Sequence, residues 1–540
     1  MTGITVAAFF HIYISASERR NAAGIRCGSA SAAESADGDL LLRAGTINEQ
    51  QTKGSDTITA KITAALIAAA ILLAAAVGCT RGGSTPSGSS GEESTSAPET
   101  SDGSAVPAHD YGGYGFSFAD TEATGAKSHF FAEISADPSD TDTIPASVYK
   151  RNERLVSKYN IKLRSNFEIN LYNSLTAGED IVDAVIYDPY ALKGVMQDGL
   201  LVDLNTLDYF SFDSDWWMKG IAESVSIKDK LYMMTGSANI RTLGSTQALF
   251  FNKTVAEDRI PGTDIYKLVD DGEWTLDKML ELAASAGADN GDGVWDEKDS
   301  YGLAFNNFAL ISFFFSSGCR FITKDDSGEL TYDFGSDRQI EVLTKTVNFL
   351  NDQTMTLYGE RYADKYQENG RVYVLTDAFK ENRALFINNL VSNGILLRNM
   401  ETEYGVVPQP KYDTAQKDYV TFLHGNASYF AVPLTAPDKD CSARIIEDMA
   451  YYSRDTVRNA YIEIVVKQKY AVDGADSARM LDIVYGNVIF DMGYFAIGSI
   501  DGTLRKMADN NDTGFSSMFA TNINQWERLL NNYFRPYLED

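Results

Sequence analysis

Beyond about Tyr111, hydrophobic and polar positions recur with two different periods. Val148, Leu155, Val156 and Tyr159 fall on one face of a helix, which predicts a helix over SVYKRNERLVSKYN. Directly after it, Ile161, Leu163, Phe167, Ile169 and Leu171 alternate with mostly polar residues, the pattern of a half-buried strand. The short apolar run DAVIY, starting at Asp183, predicts a buried strand, ended by Tyr187, Asp188, Pro189 and Tyr190. This alternation points to an α/β sheet with helices on its faces. Further on, EWTLDKMLELAASAG predicts a helix with Thr275 as N-cap and with Trp274 and Met279 placed for a hydrophobic staple. Leu276, Met279, Leu280 and Ala283 make its buried face. Residues 523–534 predict another, with Ile523, Trp526, Leu530 and Tyr533 on one side and Pro536 ending it. No internal repeat is present.

The N-terminal part follows a different pattern. Lys53 and Lys61 flank the start of an apolar run, 62–77, that is short for a membrane span. It ends in Ala76, Val77 and Gly78, immediately before Cys79. A basic region, an apolar core and a small-residue end make an export signal. A cysteine in that place resembles the lipobox of bacterial lipoproteins. The resemblance implies that Cys79 is acylated and becomes the first residue of a chain anchored to the outer face of the cytoplasmic membrane. The alternative is a transmembrane anchor with an incidental cysteine. On the lipoprotein reading, residues 1–78 are leader and signal peptide. The stretch before Lys53 shows no targeting logic, which suggests either a start site placed too far upstream or a long n-region. Residues 79–109 are rich in Gly, Ser, Thr, Pro and Glu without apolar periodicity, and predict a flexible tether.

Composition narrows the function classes. A chain of 540 residues exceeds one compact domain, and 44% hydrophobic residues suffice for one or two cores. The net charge of -28 repels polyphosphate and argues against nucleic acid; its ordinary consequence is a well-solvated surface. In the folded body, beyond the tether, only Cys319 and Cys441 remain, as two buried thiols or as one disulfide. His11 lies in the leader and His109 in the tether. His129 and His424 have no partner constellation nearby and predict structural roles, so Ser-His-Asp and Cys-His chemistry is poorly supported. HExxH, GxxxxGK[ST] and GxGxxG are absent. Paired carboxylates alone suffice for glycoside hydrolysis, but no pair stands out by position. The segment ADNGDGVWDEKD offers one metal pattern. In the register of a calcium loop set on Gly293, the ligands are Asn290, Asp292, the Val294 carbonyl, Asp296 and Asp299. Ala288 stands where the first ligand belongs, and the alternative is a tight Asx- and Gly-rich turn.

Several stretches, in order, resemble the extracellular solute-binding proteins of family 1, in the form common in clostridia: VYKRNERLVSKYNIKL, DGLLVDLNTL, GSANIRTLGSTQALFFNKTVAED, GEWTLDKMLELA, NGDGVWDEKDSYGL, YGVVPQPKYDTAQKDY and ARMLDIVYGNVIFDMGY. The resemblance implies an α/β, two-lobed, hinge-linked fold of the periplasmic-binding-protein type (type 2) with a helical C-terminal region. It implies lobe one over 110–248 with 408–455 returning to it, lobe two over 249–407, and the helical region over 456–540. It implies a non-enzymatic receptor of an ABC importer, which captures a small polar solute, a sugar or oligosaccharide first of all, by hinge closure and passes it to a membrane permease. A structural calcium ion is the only cofactor considered. A cell-surface glycoside hydrolase, or a receptor for peptides or other polar metabolites, is the alternative.

An aromatic platform ringed by hydrogen-bonding groups suits a sugar, whose faces are apolar and whose rim is polar. The expected platform is Trp216 and Trp217. Tyr187 and Tyr190 follow a predicted strand end, where α/β folds place ligands. Asn239, Ser245 and Thr246 precede the hinge-like FFNK element, and Asn426, Tyr429 and Tyr494 lie in segments expected to return to the cleft.

Overall fold

The computed structural model describes residues 103–538 apart from 121–130, 168, 326–327, 369–370, 398 and 467–473. Cys79, the leader, the tether up to 102 and His129 lie outside the described residues. Among those described, no helix is long and apolar enough to cross a membrane.

Two sheets organise the chain. The first contains strands β1 (Tyr114–Asp120), β2 (Ile161–Asn166) and β3 (Ala184–Tyr187), with β1 parallel to both others. Helix α1 (Thr143–Tyr159) precedes β2, and α2 (Pro189–Gln197) follows β3. The chain then crosses through a short helix, α3 (Ile240–Ser245), into a second sheet. There β4 (Gln247–Asn252), β5 (Tyr301–Phe305), β6 (Thr356–Tyr358), β7 (Ala384–Leu390) and β8 (Tyr404–Val407) line up in the order β8-β4-β7-β5-β6. Strand β9 (Tyr429–Ala431) returns to the first sheet, antiparallel to β3, giving β9-β3-β1-β2. The expected two-lobed α/β organisation is therefore present, with one lobe built on each sheet.

Beyond β9 the described residues are mostly helical, apart from a two-residue strand, Val488–Ile489. Helix α4 (Lys439–Ser453) packs on α1. Helices α5 (Ser499–Asp509) and α6 (Phe515–Leu538) complete the body. Helix α6 touches both lobes: Trp526 meets the Phe334 ring on the second lobe, and the Tyr537 hydroxyl donates to the Met196 carbonyl on α2.

Local expectations were met unevenly. Val148, Leu155 and Tyr159 are buried along α1, while Val156 is exposed. The strand after α1 was expected to run to Leu171 but stops at Asn166. Its ladder with β1 ends at the pair Ala119 with Asn166. Asn170 instead caps a short helix, Leu171–Thr176, by accepting from the Asn173 N–H. The helix with Thr275 as N-cap forms over Leu276–Ala284, and its staple residues Trp274 and Met279 are buried; Leu280 is only half-buried. Pro536 does not end α6 but sits in its last turn. There a missing N–H removes a single bond, and packing of Tyr537 on Tyr232 holds the turn. Cys319 and Cys441 are both free and buried, and burial pushes both thiols up to about 12.

Candidate functional site

The two lobes meet where three chain segments run side by side. Thr246, just before β4, bridges Leu423, and the His424 N–H donates to the Ser245 carbonyl at 3.1 Å. Residues Thr421–Phe422 pair in turn with Val488–Ile489 from the C-terminal region. The outgoing crossing, the returning crossing and the C-terminal region are thus joined by backbone hydrogen bonds at one place.

Residues following strands of both sheets converge on the returning segment, His424 to Asn426. Tyr190 stands three residues past the end of β3 and is 59% exposed. Its ring lies over Gly425 so closely that a Cβ there would sit 2.3 Å from Tyr190 Cε2 and would push the ring aside. The same ring tilts against Phe495 at 5.2 Å between centroids. From the second lobe, Phe308 stands three residues past the end of β5 and meets the His424 ring edge-on at 4.3 Å. The Arg505 guanidinium of α5 covers the other partner, Phe308, at 4.2 Å, and is held by Asp501 through Nε at 2.8 Å. The Tyr494 hydroxyl also donates to Asp501. Glu360, two residues past β6, accepts from the Asn307 N–H at 3.0 Å with Oε1, while its Oε2 is buried without a hydrogen-bond partner. Burial raises that carboxyl above its ordinary range.

The junction therefore combines an exposed aromatic ring with acceptors (Glu360, Asp501), a guanidinium and small polar groups. Ser245 adds a buried hydroxyl without a partner. That set can stack against an apolar face and hydrogen-bond a polar rim. His424 does not resemble a general base: its Nδ1 already accepts from the Asn426 N–H at 3.1 Å.

The expected site residues separate into groups. Tyr190, Ser245 and Asn426 come together at this junction. Tyr187 and Tyr429 face one another across β3 and β9 as buried residues beneath it, and Tyr494 is buried against Phe315 and Phe422. Asn239 and Thr246 are fully buried and spent on local bonds, to Ser428 and to the Thr242 carbonyl. Trp216 and Trp217 lie to one side. Both indole N–H groups donate to Glu447, at 3.0 and 2.9 Å, and Trp217 is 4% exposed among Phe210, Phe212 and Phe430. Both line a separate cavity of about 250 Å³, together with Ser237, Arg458, Asp482 and Tyr485. Phe308, Glu360, Asp501 and Arg505 were not anticipated. The strand-end logic that singled out Tyr190 applies equally to Phe308 after the apolar YGLAF run, and was the available signal for it.

In the loop after the Thr275-capped helix, the proposed metal ligands are engaged with backbone N–H groups. Asp299 is buried and accepts from Asn290 and Asp296; Asn290 accepts from Asp292, Asp292 from Val294, and Asp296 from Lys298. Gly291 and Gly293 supply the positive φ angles of 104° and 79° that the turns require. Among the described residues, no group of three or more His, Cys, Asp or Glu side chains is placed to hold a metal ion. Each side-chain ligand has a backbone donor and keeps further lone pairs, so thermal melts with chelator and with added calcium decide the loop: a melting temperature indifferent to both assigns it as a plain turn. A calcium-dependent rise in a thermal melt would assign the loop to the ion instead.

No protein-family model matches the chain, and no curated protein matches it in sequence. Solved structures align with it along most of its length. Maltose-bound MalE3 of T. maritima is 14% identical with a TM-score of 0.47, over 77% of this chain and 100% of that one. The substrate-binding protein Lmo0181 of Listeria monocytogenes, in complex with cycloalternan, is 11% identical with a TM-score of 0.48, over 78% and 99%. The GacH receptor of Streptomyces glaucescens, solved unliganded and with acarbose, is 13% identical with a TM-score of 0.49, over 78% and 99%.

Proposed function

We propose that this chain is the solute receptor of an ABC importer and captures a carbohydrate between its two lobes. One observation carries the reading: residues following strands of both sheets converge on the His424 to Asn426 segment, exactly where the lobes are joined by crossing segments. A ligand held there touches both lobes at once, so binding favours the closed arrangement. Tyr190 is the platform, with Asn426, Arg505, Asp501 and Glu360 as the polar rim. A neutral polyol matches a site whose arginine is already balanced by Asp501 better than an ionised solute does.

Calorimetry against maltose, maltotriose, cycloalternan and acarbose tests this, followed by Tyr190→Ala on whichever binds. The variant is expected to fold normally and bind about tenfold more weakly, about 1.4 kcal/mol. Unchanged affinity would remove the site from this junction, and released product in place of a stable complex would favour a glycoside hydrolase.

The lipoprotein reading belongs to the same proposal. A receptor feeding a membrane permease gains from an anchor, and two acyl chains on Cys79 would supply one. Cys79→Ala is expected to release the protein from the membrane or leave it unprocessed; wild-type fractionation and migration would refute the anchor.

A further inference from the structure

Three buried amides meet on one face of the second sheet, next to the crossing into β4. Gln247 opens β4 and is matched with Leu390 on β7. Two residues along the same strands, Asn388 is matched with Leu249, so Gln247 and Asn388 point to the same side. On the other flank Val407 of β8 is matched with Leu249, and the register carried two residues further sets Gln409 beside Gln247. The Asn388 amide reaches across β4 to donate to Gln409 Oε1 at 3.1 Å. Gln247, Asn388 and Gln409 are 1%, 0% and 0% exposed.

After that bond, four polar atoms remain without a hydrogen-bond partner: Gln247 Nε2, Gln247 Oε1, Asn388 Oδ1 and Gln409 Nε2. Each unpaired buried amide group bears its full desolvation penalty. The set contains two NH₂ donors and two carbonyl acceptors. An anion would satisfy only the donors and a cation only the acceptors. Water satisfies both, and one buried water typically makes about three hydrogen bonds.

We propose that Gln247, Asn388 and Gln409 form an internal hydration site holding about two ordered waters in the second lobe, beside the crossing. The waters bridge β4 to β7 and β8 at the end where β4 receives the chain from the first lobe. The assignment is independent of which solute the protein captures.

A crystal structure of the full chain at about 1.5 Å, with ¹⁷O relaxation dispersion in solution, tests it. Wild type is expected to show density peaks within about 3.2 Å of the three amides and long-lived waters in solution. Gln247→Met is expected to lose at least one of those waters. Amides turned onto one another with no peak between them would overturn the proposal. So would a peak with an ion's anomalous signal, or an equal count of long-lived waters in wild type and variant.

Discussion

Replacing Glu133 by alanine is expected to cost about 3–5 kcal/mol of folding stability, because it strips the hydrogen-bonded carboxylate from a buried guanidinium and leaves only the more distant Asp120 against it. Glu133 and Arg241 are each 2% exposed. One Glu133 oxygen accepts from Arg241 Nε at 2.9 Å, and the other from the Arg241 backbone N–H at 2.9 Å and the Ser428 hydroxyl at 2.6 Å. Arg241 also donates to the Ile186 carbonyl in β3 and lies 3.7 Å from Asp120 at the end of β1. Burial alone would lower the guanidinium's pKa, but Glu133 and Asp120 outweigh it and the net direction is upward. Through this network the crossing helix α3 is fastened to the ends of β1 and β3 and to the residue entering β9, so the pair anchors the first lobe's side of the hinge. Urea unfolding of wild type, Glu133→Ala, Arg241→Met and the double variant measures the coupling. The double variant is expected to recover only part of the loss, since it removes the guanidinium that faces the buried Asp120 carboxylate. Single variants within about 1 kcal/mol of wild type would mean that water reaches the pair and screens it.

That network also shows where sequence reasoning stops. The elements it found well were those with a local physical cause. Thr275 caps its helix through its own Oγ1, which accepts from the Lys278 N–H at 3.2 Å, and the DAVIY run became a fully buried strand because both its faces are covered. The strand expected to reach Leu171 stops at Asn166, and the alternation read beyond it belongs to a loop and to a short helix that Asn170 caps. In the candidate site, Tyr190 and Ser245 were legible as residues beside a strand end and beside the hinge-like FFNK element. Arg505 and Asp501 were not, since nothing in a helix of mixed polarity announces which turn meets Phe308. Glu133 stands in an irregular stretch and meets Arg241 only through tertiary folding. The Trp216–Trp217 pair promised a platform because two exposed indoles are costly. Their pairing with Glu447, on α4, is invisible in SFDSDWWMKG and gives both rings a structural use.

Acidification should weaken the fold through His424, by roughly 2–3 kcal/mol between pH 6.5 and 4. The residue keeps part of its surface in water, but its ring is shut in against Phe308, whose own face carries the Arg505 guanidinium. Its Nδ1 accepts the Asn426 N–H, a bond that protonation at that nitrogen would destroy. Burial first, and the Arg505 charge second, push the imidazole down from 6.5 to about 4, against a smaller opposing pull from Asp501. The unfolded chain therefore takes up a proton near pH 6.5 while the folded chain stays neutral until about pH 4. With more protons bound in the unfolded state, stability is fully present above pH 6.5 and is lost as the pH falls through that window. The full shift would correspond to slightly more than 3 kcal/mol at about 1.36 kcal/mol per unit; residual exposure trims it. The buried acids Asp183, Glu447, Asp448 and Asp491, whose pKa values burial raises, act with the opposite sign. Their effect is common to wild type and variant and cancels in the difference. Urea midpoints of wild type and His424→Phe are expected to run parallel above pH 6.5 and to separate as the pH falls toward 4, with wild type losing stability that the variant keeps. Curves parallel over the whole range would mean that the imidazole titrates alike in both states and that the junction is open to water. Because His424 sits where both lobes meet, its protonation in the folded chain near pH 4 is also expected to lower solute affinity in wild type and not in the variant.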